Sequence, residues 1–321
     1  MYARGLRRTY GNIQAVHGLD LTVAAGETFG FLGPNGAGKS TTIAMLCTLL
    51  RPTAGHAEVA GVDVVRHPDE VRRRIGVVFQ EPTSDRDLTA EQNLRFHAEL
   101  YGMPRRDVRT KARFLLDLLG LGDRRDSLVS TYSGGMQRRL EIARVLMHQP
   151  RVLFLDEPTT GLDPQSRAQV WQSLNDLKRQ QMISIFLTTH YLEEAEHCDR
   201  IAIMDRGRVM AEGTPHQLKS GVGADVVRLR TDDDEETARS VRDIFGLDAA
   251  AGPDGVRVHA ADGATWVPRL CTGLTVRIHS VTVTRPSLDD VFLHHTGRAI
   301  RGAARATAGA EPSDRLPRIR S

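Results

Sequence analysis

The sequence predicts an α/β fold over residues 1–220, in which buried strands alternate with helices. Four short apolar runs have the composition of strands that are covered on both faces of a sheet. They occupy residues 28–32, 75–79, 151–155 and 183–187. Helical segments separate these runs, and such an alternation is typical of a parallel α/β core.

Helix signals lie between the predicted strands. Residues 40–50 follow a glycine-rich turn and are expected to form the first helix. A capping box at residues 89–92 begins another helix, and residues 105–119 have the pattern of the next one. Because the segment from about 84 to 150 is mostly helical and lacks strand patterns, we expect an inserted helical subdomain there.

A second, smaller unit is expected after the α/β part. Residues 201–210 predict a β-hairpin, and a break follows near residues 220–223. Beyond the break, short strand patterns and a helix near residues 234–245 predict a small α+β domain at residues 224–298. The acidic run at residues 232–236 lies at the start of this helix, where carboxylates favour the macrodipole, so we prefer a structural role for it over a binding site.

Composition and charge indicate a globular protein with a basic tail. The 321 residues are 40% hydrophobic and 26% charged, with a net charge of +3. Residues 301–321 hold five arginines against Glu311 and Asp314, so this tail accounts for the excess charge. We interpret residues 299–321 as disordered, with attraction to an anionic membrane surface as the alternative. No specific nucleic-acid partner is expected.

Cysteine spacing and hydropathy indicate the cellular compartment of the chain. Cys47, Cys198 and Cys271 are far apart and show no metal-binding spacing, which fits a reducing compartment. The longest uncharged apolar stretch, residues 40–50, is shorter than the roughly 20 residues that span a bilayer, and no signal peptide is recognised. We expect a cytoplasmic chain, with any membrane role carried by a partner.

A phosphate-binding loop follows the first predicted strand. Its residues match GxxxxGK[ST] and are Gly33, Pro34, Asn35, Gly36, Ala37, Gly38, Lys39 and Ser40. The glycines allow successive backbone N–H groups to point at phosphate oxygens, and the following helix adds its positive end. Lys39 would contact the β- and γ-phosphates, Ser40 would ligate Mg²⁺, and Thr41 would add a phosphate contact. This loop alone does not distinguish kinases, GTPases, helicases and transport ATPases.

A pair of acids ends the predicted strand at residues 151–155. Asp156 would lie at the carboxyl edge of the sheet beside the phosphate loop and hold Mg²⁺, and Glu157 would polarise the attacking water. An isolated acid pair would be an ordinary strand end, but the segment Pro-Thr-Thr-Gly-Leu-Asp-Pro that follows at residues 158–164 weighs against that interpretation.

A third motif, Tyr-Ser-Gly-Gly-Met-Gln at residues 132–137, precedes a helix rich in Arg and Leu. Ser133 is expected to cap this helix, and Gly134 and Gly135 leave its N-terminus open as an anion site. An isolated Ser-Gly-Gly is more often a loop, but its position 23 residues before Asp156 favours the anion site.

Together and in this order, the motifs resemble those of the ATP-binding-cassette (ABC) family over residues 1 to about 220. The resemblance implies a P-loop NTPase fold with ATP and Mg²⁺ as cofactors. It implies that Tyr10 stacks on adenine and that Gln80 senses both Mg²⁺ and a membrane partner. Lys39 and Glu157 would then act in catalysis with Gln80.

The resemblance also implies two nucleotide sites at the interface of a homodimer. His190, which ends the strand at residues 183–189, would be the switch histidine on the γ-phosphate; a lone histidine there would usually be structural. Asp163 would lie in the loop that contacts the opposite subunit. Ser133 and Gly135 would act in trans on the nucleotide of the other copy.

The third motif carries Tyr132 and Met136 where the commonest form has Leu and Gln, and such variants resemble exporters of the daunorubicin-resistance type. Residues 285–297 resemble the C-terminal segment of the same group. The resemblance implies an ATP-hydrolysing subunit, peripheral on the inner face of the cell membrane. It would power efflux of a drug-like or lipid-like substrate through a separate multi-helix membrane permease.

Three alternatives remain open on the sequence. A soluble ATPase of the family acting on ribosomes or nucleic acid usually has fused cassettes or a long insertion, and the 94 residues between Lys39 and Ser133 leave no room for one. A non-hydrolysing nucleotide switch is disfavoured by Glu157 and His190. An importer subunit is disfavoured only by the C-terminal segment.

Overall fold

The computed structural model describes residues 1–181, 183–252 and 255–296. Within these ranges the chain forms fourteen strands and eleven α-helices. The strands are β1 Tyr2–Tyr10, β2 Ile13–Thr22, β3 Thr28–Leu32, β4 Ala54–Val59, β5 Val62–Asp63, β6 Ile75–Val78, β7 Val152–Asp156, β8 Ser184–Thr189, β9 Arg200–Asp205, β10 Arg208–Gly213, β11 Asp225–Thr231, β12 Asp248–Gly252, β13 Gly255–Ala260 and β14 Ile278–Thr284. The helices are α1 Lys39–Leu46, α2 Pro68–Arg74, α3 Ala90–Leu100, α4 Arg105–Leu118, α5 Gly134–Val145, α6 Pro164–Gln181, α7 Leu192–Ala195, α8 Pro215–Val222, α9 Asp234–Phe245, α10 Gly263–Gly273 and α11 Leu288–Thr296.

A six-stranded sheet with the order β10-β9-β3-β8-β7-β6 forms the centre of the fold. Strands β9, β3, β8, β7 and β6 run parallel, and β10 pairs antiparallel with β9 at one edge. Strands β3 and β8 are buried along their whole length, as expected for strands covered on both faces. The α/β prediction, its four buried strands and the hairpin are therefore confirmed.

A second sheet, with the order β2-β1-β4-β5, is antiparallel and was not predicted from the sequence. The pairing of β1 with β2 has three register shifts, which break the strict alternation that identifies a strand. Apolar residues of this sheet, such as Leu6 and Val16, share a buried cluster with Phe31 and Ile43. The sheet therefore covers the face of the central sheet on which α1 lies.

Helices α3, α4 and α5 lie between β6 and β7, in the segment predicted to be helical. The capping box forms as expected, because Thr89 Oγ1 accepts from Gln92 N at 3.2 Å and Gln92 Oε1 accepts from Thr89 N at 2.8 Å. Helix α1 is shorter than predicted: it ends at Leu46, and Thr48 has a left-handed backbone with φ 64°. The division of the chain into domains stays a prediction.

The C-terminal part forms a third sheet with the order β12-β13-β11-β14, and α9 and α10 pack against it. Asp233 caps α9 by accepting from Glu236 N at 2.9 Å, as expected for an acidic helix start. Helix α8 continues to Val222, so it includes the first three residues of the predicted break at residues 220–223, and the position of the break stays a prediction. The predicted tail at residues 299–321 lies outside the described residues. Within the described ranges, no helix has the length and hydropathy needed to cross a bilayer.

Helix α11 packs away from the third sheet. Its buried residues Leu288, Val291 and Phe292 belong to the same cluster as Leu153 and Leu187 of the central sheet. The helix contacts α8 and β10. The sequence analysis grouped this segment with the C-terminal unit, but its apolar positions recur at helical spacing and find their partner surface on the larger unit.

Phe292 should therefore stabilise the whole chain. Phe292→Ala is expected to lower the free energy of unfolding by about 3 kcal/mol, because a buried ring is removed and a cavity remains. The matched control is Leu293→Ala, since Leu293 is 50% exposed whereas Phe292 is 1% exposed. Urea unfolding checks this prediction, and equal effects of the two substitutions would contradict it.

Candidate active site

The carboxyl ends of β3, β8 and β7 meet at one edge of the central sheet. Leu32 pairs with Thr189, and Asp156 pairs with Thr188. The phosphate loop after β3, the acids at the end of β7 and His190 after β8 are consequently brought together. In open parallel sheets this edge is where ligands bind.

Two glycines of the phosphate loop have no room for a side chain. A Cβ on Gly33 would lie 2.3 Å from Met204 O, and one on Gly38, whose φ is +105°, would lie 2.6 Å from Ala15 O. Helix α1 begins directly after the loop without a side-chain cap, so its first N–H groups are open to an anion. At the loop, Asn35 and Gly36 are exposed, Pro34 and Thr41 are half-buried, and Ala37 is buried.

Lys39 is held inside the loop, with only 4% of its side chain exposed. Its Nζ donates to Gly33 O at 2.6 Å and to Pro34 O at 3.2 Å, and it lies 3.6 Å from Glu157 Oε1. Burial lowers the pKa of Lys39, and the nearby carboxylate of Glu157 opposes this effect. The ammonium is thus positioned where phosphate oxygens could replace the carbonyl and carboxylate oxygens.

Asp156 and Ser40 form a group of hard oxygen ligands. Ser40 Oγ donates to Asp156 Oδ1 at 3.3 Å, and Thr188 Oγ1 donates to the same oxygen at 2.5 Å. Hydroxyl and carboxylate oxygens are the ligands that Mg²⁺ prefers, and it often keeps few protein ligands beside substrate phosphates. The residues present therefore fit the predicted metal.

Glu157 lies between a cation and an imidazole. Its Oε1 is 3.3 Å from His190 Nδ1 as well as 3.6 Å from Lys39 Nζ, and its Oε2 accepts from Thr160 Oγ1 at 3.3 Å. The backbone of Glu157 has φ 47°, which is strained for a residue with a Cβ. Such strain persists only where surrounding contacts fix the conformation, and it is typical of functional positions.

Two predicted site residues make no hydrogen bond or ion pair with this cluster among the described residues. Gln80 follows β6, is exposed, and has no hydrogen-bond partner among the described residues. Tyr10 ends β1 and is half-exposed, with the guanidinium of Arg8 lying 4.5 Å from its ring centroid. Stacking of adenine on Tyr10 therefore requires the opposite face of the ring.

Ser133 and Gly134 are located at the start of α5, as predicted. Ser133 Oγ accepts from Met136 N at 3.3 Å and caps the helix, and Gly134 is the first helical residue. Within the described residues, no hydrogen bond or ion pair joins residues 133–135 to the phosphate loop of the same chain.

Gly135 is required by the close approach of α5 to α6. A Cβ at Gly135 would lie 2.7 Å from both Cβ and Oγ of Ser166. Asp163 caps α6, because its Oδ1 accepts from Ser166 N at 2.9 Å. The hydrogen bonds to Ser166 also lower the pKa of Asp163. The third motif and the loop at Asp163 are thus packed together in one chain.

Two residues of the site were missed by the sequence analysis. Thr188 contacts both acids, since it donates to Asp156 and its Oγ1 accepts from Glu157 N at 3.1 Å. Arg138 donates to the backbone carbonyls of Asp156 and Glu157. The available signals were two threonines ending an otherwise apolar strand, and an arginine on the helix face that faces the core.

The family model of the ABC transporter matches residues 16–160, and one described as the C-terminal domain of DrrA1-3-like ATP-binding proteins matches residues 213–296. The daunorubicin/doxorubicin resistance ATP-binding protein DrrA of Streptomyces peucetius is 46% identical over 303 residues, with 91% of each chain covered. The chain belongs to the ABC transporter family. This ABC subunit is an ATP-binding protein that hydrolyses ATP.

Solved structures agree with this assignment. CbiO1 from Clostridium perfringens, part of the transporter complex cbiONQ, is 27% identical, has a TM-score of 0.65, and covers 75% of this chain and 93% of its own. The ATP-binding cassette MJ0796, solved as a dimer with ADP and Pi, is 27% identical, has a TM-score of 0.59, and covers 66% of this chain and 97% of its own. The predicted family and fold are confirmed, and the soluble and non-hydrolysing alternatives gain no support.

The contact between α5 and α6 predicts a compensating pair of substitutions. Gly135→Ala is expected to lower the free energy of unfolding by about 2 kcal/mol, because the new methyl group overlaps Ser166. Ser166→Gly in the same chain should recover most of this loss, since it removes the opposing atoms. Thermal unfolding of both single variants and the double variant checks this; additive losses would contradict the close contact.

Proposed function

We propose that this chain powers export of a drug-like or lipid-like substrate, through a membrane-spanning permease that is a separate protein. The observation that carries the ATPase part is the cluster of Lys39, Asp156, Glu157 and His190 at one sheet edge. The export part is supported by a drug-resistance relative that is 46% identical over most of both chains. The chain would be peripheral on the inner face of the membrane.

Lys39 and Glu157 lose their contact with each other during the proposed reaction, and each gains a new partner. When ATP binds, the Lys39 ammonium contacts the β- and γ-phosphates and gives up its contacts to Gly33, Pro34 and Glu157. The Glu157 carboxylate is then free to accept a proton from the attacking water. His190 Nδ1 contacts the same Glu157 oxygen as Lys39 Nζ and would bind the γ-phosphate, so that the attacking water would lie between the acid and the phosphate.

Ser40, Asp156 and Gln80 would hold Mg²⁺ with the nucleotide. The ion would neutralise charge that develops on the phosphates. Thr188 orients Asp156 through its hydrogen bond at 2.5 Å. Gln80 is exposed and follows β6 at the carboxyl edge of the same sheet.

A second copy would complete the site. ABC cassettes dimerise, as in the solved MJ0796 dimer. Here Ser133, Gly134 and Gly135 form an open helix N-terminus that makes no contact with the phosphate loop of its own chain within the described residues. We infer that they bind the γ-phosphate held by the other copy, and that the loop of Asp163 lies at the same interface. Tyr10 would stack on the adenine of its own site.

A cleft between the helical segment and the end of α2 is the proposed contact for the permease. It measures about 780 Å³, and its lining includes Tyr101 and Phe114, His148 after α5, and Arg73 of α2. Phe79, Phe96 and Leu100 are further exposed apolar side chains. A cytoplasmic segment of the permease with apolar and acidic residues fits this surface, because Arg73, Arg106 and Lys111 outnumber Asp107 along it.

Glu157→Gln tests the base. The amide keeps the shape of the side chain but cannot accept the proton, so the turnover number should fall at least about 100-fold while the Kd of ATP changes less than about threefold. Glu193→Gln, at a residue that is 87% exposed, is the matched control and should leave both quantities unchanged. Wild-type turnover in Glu157→Gln would remove this residue from the base role.

Lys39→Ala tests the phosphate loop. Loss of the charged contact to the phosphates should raise the Kd of ATP at least about tenfold. Lys178→Ala is the control, because Lys178 pairs with Asp199 on the surface. Titration with a fluorescent ATP analogue measures both variants, and equal affinities would contradict the assignment.

A further inference from the structure

Arg138, in the first half of α5, is buried directly beneath the proposed catalytic acid. Only 8% of it is exposed. Its Nε donates to Pro158 O at 2.5 Å, and its Nη2 donates to Glu157 O at 3.0 Å and to Asp156 O at 3.2 Å. Its Nη1 donates to Phe79 O, at the beginning of the Gln80 loop. One guanidinium therefore holds four backbone carbonyls from two separate segments.

These hydrogen bonds fix a backbone that is otherwise strained. Glu157 has a left-handed φ of 47°, and Pro158 has no N–H with which to extend the sheet. The guanidinium is planar, always charged and rich in donors, so it can bond several carbonyls at once, which a single ammonium cannot do in the same geometry. Arg138 thus supplies contacts that keep Glu157 in its unusual conformation.

Glu141, three residues further along α5, holds the other end of the Gln80 loop. It is 1% exposed, and its carboxylate accepts from Ser84 N at 2.5 Å, from Thr83 N at 3.0 Å and from Thr83 Oγ1 at 2.9 Å. Burial raises the pKa of Glu141, but the charge of Arg144 and the hydrogen bonds outweigh this effect, and the net pKa is lowered. The carboxylate is therefore charged at neutral pH.

Residues three apart lie on the same face of a helix. Arg138 and Glu141 consequently present their side chains to one surface, where Phe79 and residues 83–84 bracket Gln80. Helix α5 begins at Gly134, in the motif proposed to meet the nucleotide of the other copy. A displacement of α5 would be transmitted at once to the Gln80 loop and to the peptide of Glu157.

We propose that Arg138 is a positioning residue for ATP hydrolysis, which holds the Glu157 peptide and the start of the Gln80 loop on α5, while Glu141 holds the end of that loop. This inference rests on the proposed role of Glu157 as the base. It makes α5 the connection between the anion site at its N-terminus and the acid that activates water in the same chain.

Arg138→Met tests the inference, with Arg139→Met as the matched control. Arg139 is the next residue and also donates to backbone carbonyls, at Leu119 (3.0 Å) and Gly135 (3.4 Å), but to none near the acids. With the purified chain and Mg-ATP, Arg138→Met should lower kcat about 100-fold through misplacement of the acid, and change KM less than about threefold. Arg139→Met should change kcat less than about threefold.

Arg138→Lys is the conservative variant and keeps the charge but not the planar set of donors. Its kcat should be at least about tenfold higher than the kcat of Arg138→Met, and its KM should be unchanged. If Arg138→Met does not fold, the positioning role is tested by comparing Arg138→Lys with Arg139→Lys. Only Arg138→Lys should have a lower kcat than the unaltered chain.

Three results would overturn the inference: wild-type kcat in the Arg138 variants, an equal loss in the Arg139 variants, or a fall in kcat matched by an equal loss of ATP affinity. Glu157→Gln is measured in the same series. An active Glu157→Gln would remove the base assignment itself, whereas an inactive Glu157→Gln beside an active Arg138→Met would remove only the positioning role.

Discussion

Parallel pairing among β3, β8 and β7 is the constraint on which the active site depends. The register that aligns Leu32 with Thr189 and Asp156 with Thr188 brings three distant segments to one edge. The Lys39 ammonium can then lie 3.6 Å from Glu157, although the two residues are far apart in the chain. A shift of one residue in any of these strands would move the end of that strand along the edge and turn its alternate side chains to the other face.

The core of this arrangement could be predicted because its chemistry requires contiguous residues. A phosphate loop needs glycines at fixed spacing before a lysine, and a buried parallel strand reads as an uninterrupted apolar run. The antiparallel sheet of β1, β2, β4 and β5 could not be predicted, since its register shifts and half-buried residues obscure the alternating pattern. Arg138 was missed for another reason: its partners are backbone carbonyls, so no partner side chain in the sequence indicates its role.

The two halves of the proposed nucleotide site lie in different parts of the chain. The phosphate loop and the acids lie at the edge of the central sheet, whereas Ser133 and Gly135 lie at the junction of α5 with α6. Ser133 caps α5, and the N-terminus of this helix still favours a negative charge, which a phosphate bound by a second copy would supply. Helix α5 contacts both the start of the Gln80 loop and the Glu157 peptide through Arg138. A contact of the α5 N-terminus with the second copy would therefore link hydrolysis to dimer formation.

The most direct test of this account mixes two inactive variants, Lys39→Ala and Ser133→Asp. Aspartate still caps α5, but its charge repels the phosphate of the other copy, so each variant alone should lack activity. If sites form between copies, mixed dimers contain one intact site, and the mixture should recover about a quarter of wild-type ATPase activity under random pairing. No recovery on mixing, with ATP binding by Ser133→Asp retained, would contradict a site shared between two chains.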